Sequence, residues 1–494
     1  MLDLLWPLTI IIGIISLITS LIWSKLEFSW LQKLSFGLVL SLPFERIPSI
    51  EAGGVNIRLS YILVIIGFYF LGILLIKKDE NLLKLKLNSL VYWILAFWVS
   101  LIPSLFGVIN PQKQIQALIA TALVFGAAFL VSNFLEDVVK TVKWLMVVLF
   151  GVGIFGLFQF VADFVGVPYT ITMLREHYTK RVFGFARVHA TALEPLYWGG
   201  MLLLPCVFLL LYLIFKTEKY TVNPLKRQIL AESSHSENNN YEQVKSNTLI
   251  PKPKNSSLSL LFNSKWNILA VISVIYLNLI LTLSRGAYLA LGFSLLTAFI
   301  LSFRQVSWKL VSRWIVPYLL VISMIGVYFV SSSGSLDLIY KATDHIVNIF
   351  SDKQVSTFER LSFLNDALNL VYNNIIVGIG SGNYGPRVQN NIAQSDGGWL
   401  IVNNVYLEIW LEQGLTAMLI FISMMVSYLV KAVDKLWKYR IKLSIEKLIT
   451  LISLISGLVG YLLQWLTFSP IFIMPVFLIL GLLVRFVEAG LEEV

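Results

Sequence analysis

One cysteine in 494 residues, Cys206, leaves no intramolecular disulfide to hold the fold. Charge is scarce: 13% of residues are Asp, Glu, Lys or Arg against 57% that are hydrophobic. The apolar residues are not interleaved with polar ones at the period of an amphipathic helix or strand, which excludes a large soluble fold. There is no Asp-x-Asp pair of the kind that holds a divalent ion for nucleotide sugars, and no metal and no cofactor is expected. The first apolar run, Leu4 to Trp23, has no Lys or Arg ahead of it and no small-residue cleavage pattern after it, and reads as a retained helix. The net charge of +10 would point to nucleic acid in a soluble domain. Here the charges lie in connections between apolar runs, where membrane topology accounts for them.

What the chain does have is long apolar runs, most near the roughly 20 residues that cross about 30 Å of hydrocarbon. Thirteen spans are predicted, near 4–23, 31–47, 59–76, 89–107, 115–135, 144–166, 196–215, 266–283, 286–303, 314–331, 403–430, 448–465 and 471–487. The expected fold is therefore all-α: a polytopic transmembrane helical bundle of about 12–13 spans with a large, partly helical outer loop. Putting the segments 77–86, 216–265, 304–313 and 431–447 inside gives strict alternation, with 26 of the 38 basic residues inside and 12 outside. The two sides differ in kind. Of the inner residues 21 are Lys, whereas 8 of the outer 12 are Arg: Arg46, Arg58, Arg175, Arg181, Arg187, Arg285, Arg360 and Arg387. A guanidinium holds phosphate oxygens in a bidentate fork and stays charged, so this bias marks the outer face as a place for an anion.

The polar stretch 216–265, with Ser-Ser-His-Ser-Glu-Asn-Asn-Asn, is expected to be a disordered cytoplasmic loop. Two outer segments carry more. Residues 167–195 hold Arg181, Arg187, His189 and Glu194. Residues 332–402 hold Arg360, the turn Gly378-Ile379-Gly380-Ser381-Gly382-Asn383-Tyr384-Gly385, Arg387 and Asp396, and place Phe358, Leu361, Leu364, Leu368 and Val371 near helical spacing, as in an amphipathic helix. The glycines of that turn read as turn formers, because no strand precedes them and no nucleotide-binding helix follows. Between two spans stands Thr282-Leu283-Ser284-Arg285-Gly286-Ala287; an Arg there costs little facing an aqueous vestibule and about 2.5–3.5 kcal/mol or more at mid-bilayer. After the large loop comes Asn403-Asn404-Val405-Tyr406-Leu407-Glu408-Ile409-Trp410-Leu411-Glu412-Gln413-Gly414-Leu415-Thr416-Ala417, in which Asn404 suits either a helix cap or a substrate contact.

Taken in order, Arg181-Val182-Phe183-Gly184, Ser284-Arg285-Gly286, Arg360 with the Gly-rich turn, and Asn403 to Ala417 resemble the O-antigen ligase and polymerase superfamily of bacterial envelope proteins. The resemblance covers roughly residues 140–430, flanked by N-terminal helices over 1–139 and C-terminal helices over 431–494. It departs from the family pattern at Asn403, where members carry His, and at Ala417, where they carry Gly. The resemblance implies an enzyme of the bacterial inner membrane whose site faces the periplasm or exterior. Its donor would be a polyprenyl diphosphate-linked glycan, its acceptor the hydroxyl of another glycan or of a lipid-anchored sugar, and its partners membrane lipids with no nucleic acid. Arg285, Arg181 and Arg360 would stabilise the diphosphate leaving group, with Arg187 and Arg387 in support. Asn403 cannot take a proton, so the base falls to His189, Glu194 or Asp396, and Asn404 would contact substrate. A polymerase of the same superfamily shares this donor chemistry. A transporter of a small anion or lipid-linked sugar is the other class, opposed by the absence of a two-fold hydropathy repeat and by the few mid-span charges.

Overall fold

The computed structural model describes residues 26–45, 47, 49–52, 55–85, 87–174, 185–218, 262, 264–302, 355–388, 400–440, 442–468 and 473–488. The helices in chain order are α1 (Phe28–Leu40), α2 (Leu59–Ile76), α3 (Glu80–Leu83), α4 (Leu90–Ser100), α5 (Pro111–Phe134), α6 (Val138–Phe164), α7 (Tyr169–Thr172), α8 (Pro195–Met201), α9 (Leu203–Glu218), α10 (Lys265–Leu281), α11 (Arg285–Ser302), α12 (Val355–Asn373), α13 (Tyr384–Val388), α14 (Val405–Gln413), α15 (Leu415–Tyr439), α16 (Ile445–Gln464) and α17 (Met474–Glu488). The all-α expectation holds, apart from one antiparallel hairpin, β1 (Ser49–Ala52) and β2 (Val55–Arg58). Among the described residues seven apolar helical segments are long enough to cross a membrane, and α10 and the segment Leu90–Phe106 are shorter apolar helices. The predicted spans 4–23 and 314–331 and most of the 216–265 loop lie outside the described residues.

Polar residues fix the starts of the helices. Asn110 accepts from the Lys113 amide ahead of α5, Asp137 from the Lys140 amide ahead of α6, and Ser444 from the Lys447 amide ahead of α16. The bundle has a lysine end and an arginine end. At the first, Lys431 pairs with Glu488 at 3.6 Å, the Ser89 amide donates to Glu488, and Lys143 pairs with Glu446. At the second lie Arg58, Arg187 and Arg285, on segments that hydrogen-bond or pack against one another. α8–α9 and α16 occupy the centre, with 83% and 72% of their apolar windows buried, whereas α2, α11 and α15 are 33% buried and turn most of their apolar surface outward.

The predicted span 403–430 is interrupted. Gly414 has φ +91°, which ends α14 and lets α15 begin in a new direction, and Leu415 donates to the Ile375 carbonyl across the break. A Cβ at Gly414 would stand 2.3 Å from the Ile376 carbonyl oxygen, so only glycine fits. The span proper is α15, and α14 becomes a platform for the outer loop. α12 forms where the spacing predicted it, but its buried stripe is Ala367 and Val371 with Leu364 beside them, packed with Leu407 and Leu411 of α14. Leu368, one position round the helix, is exposed.

Asn278 of α10 is fully buried and joins three helices. Its Nδ2 donates to the carbonyls of Gly153 in α6 and Val274 in its own helix, both at 2.8 Å, and its Oδ1 accepts from Trp198 Nε1 of α8 at 3.2 Å. A Cβ at Gly156 would fall 2.0 Å from that Oδ1. Asn278→Leu should therefore lower stability by about 1–3 kcal/mol by orphaning the indole N–H, and Gly156→Ala should act in the same direction by overpacking. Thermal unfolding of detergent-purified protein checks both; an unchanged midpoint in Asn278→Leu would remove this residue as the helix junction.

Candidate functional site

The turn between α10 and α11 carries Arg285. Thr282 Oγ1 accepts from the Ser284 amide, and Leu283 takes φ +47°, so the chain reverses within three residues. The segment after residue 184 is stitched to this turn: the Val188 amide donates to the Leu281 carbonyl at 3.0 Å, and Arg187 Nε donates to the Thr282 carbonyl at 2.9 Å. Arg187 also lies within electrostatic reach of Tyr288, whose hydroxyl donates to the Ile280 carbonyl. Two guanidinium-bearing residues are thus held around one turn. Arg285 opens α11, partly exposed, at the head of a groove of ≈ 320 Å³ lined by Tyr288, Leu289, Gly292, Phe293 and Leu296.

The same segment continues into α8. Gln159 of α6 accepts from the Ala190 amide and donates to the Ala190 and Thr172 carbonyls, and Thr191 donates to the Pro43 carbonyl. His189 is wholly buried by this stitching. Glu194 precedes α8 and stays partly exposed. α8 packs on the Arg285 turn, with Leu196 facing Gly286 and Gly199 against Ala287.

Against this segment sits an ion pair that the sequence reading did not single out. Glu45, 1% exposed, lies 3.7 Å from Arg58 Nη1 at the start of α2. Burial pushes the Glu45 carboxyl up to about 7; Arg58 and the Leu193 amide pull against that, and the neighbouring Glu194 adds to it.

The outer loop is held by α14. Glu412, buried, accepts from the Gly382 amide at 2.7 Å and the Tyr384 amide at 3.1 Å, while its carbonyl accepts from the Gly380 amide at 2.8 Å. Gly378, Gly380 and Gly382 have φ between +72° and +93°, so the Gly-rich turn wraps its N–H groups round this carboxylate. The glycines are turn formers, and the ligand of their amides is the protein's own Glu412. Burial outweighs those amides and raises the Glu412 carboxyl to about 7. One helical turn earlier, Glu408 accepts from the Val402 amide at 2.9 Å. Two glutamates at i and i+4 in an otherwise apolar helix were the sequence signal for this clamp.

The other sequence candidates are distributed as follows. Asn404 caps α14, accepting from the Leu407 amide at 3.0 Å, and its Nδ2 donates to the Leu466 carbonyl. Asn403 beside it has φ +62° and is partly exposed. Thr467, next to Leu466, faces Gly286, so the Asn403-Asn404 step is joined to the Arg285 turn through the end of α16. Arg387 is exposed on α13 and donates to the Gly107 carbonyl. Arg360 lies in α12, with its side chain outside the described residues; Arg181 and Asp396 lie outside them altogether.

Residues 268–422 match the family model described as O-antigen ligase. That stretch contains Arg285, Arg360, Arg387, Asp396, Asn403 and Asn404, whereas Arg181, Arg187, His189 and Glu194 precede it. No curated protein matches the chain.

The Glu45 carboxyl supplies a pH test. Because its folded pKa is raised from 4.5 to about 7, the stability it contributes is full below the unfolded value and is lost as pH rises through about 7. Gln mimics the protonated form, so Glu45→Gln should match wild type near pH 5 and exceed it by roughly 3 kcal/mol near pH 8. Melting curves across that range check this; a gap that shrinks with rising pH would contradict it.

Proposed function

We propose that this chain, whose residues 268–422 match the family model described as O-antigen ligase, is a membrane glycosyltransferase that moves a glycan from a polyprenyl diphosphate carrier to an acceptor hydroxyl at the arginine end of the bundle. In the bacterial inner membrane that end would face the periplasm or exterior. The observation that carries the reading is Arg285 at the head of the apolar groove on α11. Leu289, Phe293 and Leu296 along it are 39–52% exposed, a surface suited to an isoprenoid tail. A diphosphate joined to such a tail would meet the guanidinium where the groove ends, with Arg187 on the other side of the turn.

The chemistry asks for this. Cleavage of the anomeric carbon–oxygen bond leaves the electron pair on the diphosphate, beside a low-dielectric medium where fixed cations act more strongly than in water. Arg181 and Arg360 are proposed to complete the cation set from the outer loops. Asn404, engaged as a helix cap, would shape the acceptor side through backbone position, and Asn403 would orient the acceptor hydroxyl by hydrogen bonding.

Transfer from a fluorescent polyprenyl diphosphate glycan, in membranes with and without a chelator, tests the reading. Wild type should give product in both conditions. Arg285→Ala should lose about 10²–10³-fold, the cost of one preorganised charge stabiliser, and Arg285→Lys should remain well below wild type because a point charge does not replace a bidentate fork. The product also reports whether the acceptor is a lipid-anchored sugar or a second carrier-linked glycan. Full activity in Arg285→Ala would remove this residue from the site, and folded wild type inert with every donor would remove the transferase reading.

A further inference from the structure

Three non-glycine residues on the segments around the Arg285 turn have left-handed backbone: Ala190 (φ +49°), Leu283 (φ +47°) and Asn403 (φ +62°). In that region an L residue brings its Cβ too close to the following carbonyl oxygen, and only Gly, with Asn or Asp behind it, enters readily. Asn403 is therefore an ordinary occupant. Ala190 is held there from outside, its amide and its carbonyl both bonded to the Gln159 side chain. Leu283 is the least suited of the three. Leucine is a strong helix former, and it stands between α10 and α11, where a right-handed residue would carry one unbroken helix from Lys265 to Ser302.

The left-handed residue leaves the end of α10 open to other groups. In a continued helix the carbonyls of residues 280–282 would accept from amides four positions on. Here the Ile280 carbonyl takes the Leu283 amide at 3.0 Å and the Tyr288 hydroxyl from the first turn of α11. The Leu281 carbonyl takes the Val188 amide, and the Thr282 carbonyl takes Arg187 Nε at 2.9 Å. The Thr282 hydroxyl completes the closure, donating to the Leu279 carbonyl at 2.7 Å and accepting from the Ser284 amide. One backbone angle thus decides two things: whether Arg187 finds its acceptor on α10, and in which direction α11 leaves with Arg285 at its head.

We propose that Leu283 is a positioning residue for the donor diphosphate: its left-handed backbone, braced by the Tyr288 hydroxyl, holds Arg187 and Arg285 on one turn at the end of the α11 groove. This rests on reading that turn as the donor site. Leu283 touches no reacting atom and acts through the arginines.

The experiment uses the full chain in lipid nanodiscs and compares binding of two fluorescent probes, a polyprenyl diphosphate and a polyprenol of the same length, which has the tail without the anion. Wild type should prefer the diphosphate at least about 10-fold, the contribution of one charge-assisted hydrogen bond. Leu283→Val, whose branched Cβ is strongly disfavoured at positive φ, should lose most of that preference. It should still bind polyprenol, because the groove lined by Tyr288, Leu289, Gly292, Phe293 and Leu296 is untouched. Leu283→Gly, which enters the left-handed region at no steric cost, should restore what Leu283→Val loses. Tyr288→Phe keeps the ring in the groove, removes only the brace, and should also lower the preference; it decides the matter where Leu283→Val does not fold. Wild-type preference in a folded Leu283→Val or in Tyr288→Phe would overturn the positioning role, as would Leu283→Gly no better than Leu283→Val, or loss of polyprenol binding in either of the first two variants. Wild type that binds both probes equally would overturn it as well, by removing the turn as a diphosphate site. Wild type that prefers the diphosphate but transfers glycan to no acceptor would overturn the transferase reading alone and leave Leu283 in its role.

Discussion

In a hydrocarbon environment a buried polar side chain has no water to turn to, and the arginine end of this protein is positioned by how one such side chain, Asn278, is satisfied. Its amide spends its donors on Gly153 and Val274 and its acceptor on Trp198, which locks α6, α8 and α10 in one mutual arrangement. The Arg285 turn and the segment stitched to it hang from the ends of those three helices. α10 ends at the carbonyls of Leu281 and Thr282 that receive Val188 and Arg187, α8 begins at Glu194, and α6 supplies Gln159 to pin residue 190. A shift of α8 along α10 would move Leu196 off Gly286, beside Arg285, without changing any of these residues.

The site is built from charges that burial makes expensive. Glu45 with Arg58 and Glu412 with its amides are each removed from water, and in both cases the carboxyl is driven up to about 7. They meet that cost differently. Glu412 is compensated by the Gly382 and Tyr384 amides, so it acts as an internal ligand that gives the Gly-rich turn a single shape. Glu45 has a cation at 3.7 Å and a second carboxylate nearby, a frustrated arrangement that favours neither charge state strongly.

Most of the bundle was legible in the chain because hydropathy over a span is a local property: six of the seven described spans lie on the runs that predict them with ends no more than six residues away, and the seventh, Leu415–Tyr439, is displaced from the run 403–430. What the chain hid depends on contacts between distant segments. The run 403–430 reads as one apolar helix, and only the approach of the Ile376 carbonyl shows why Gly414 must break it. Glu45 looks like any loop glutamate until Arg58, Tyr461 and Glu194 are folded round it. Asn404 suited capping and substrate contact equally in the sequence, and the Leu407 amide decides for the cap.

The arrangement also explains why an arginine belongs at residue 285 rather than deeper in either helix. The proposed polyprenyl diphosphate substrate is divided by solvent: its tail needs an apolar surface and its head needs water and cations. Only a residue at a helix end touches both. Arg285 opens α11, with exposed Leu289, Phe293 and Leu296 along the groove below it and Arg187 joined to the same turn. One turn further into α11 the charge would be surrounded by hydrocarbon at a cost of several kcal/mol. In a solvated loop it would lose the low dielectric that makes its charge effective on a leaving group. The boundary therefore sets the position of the cation.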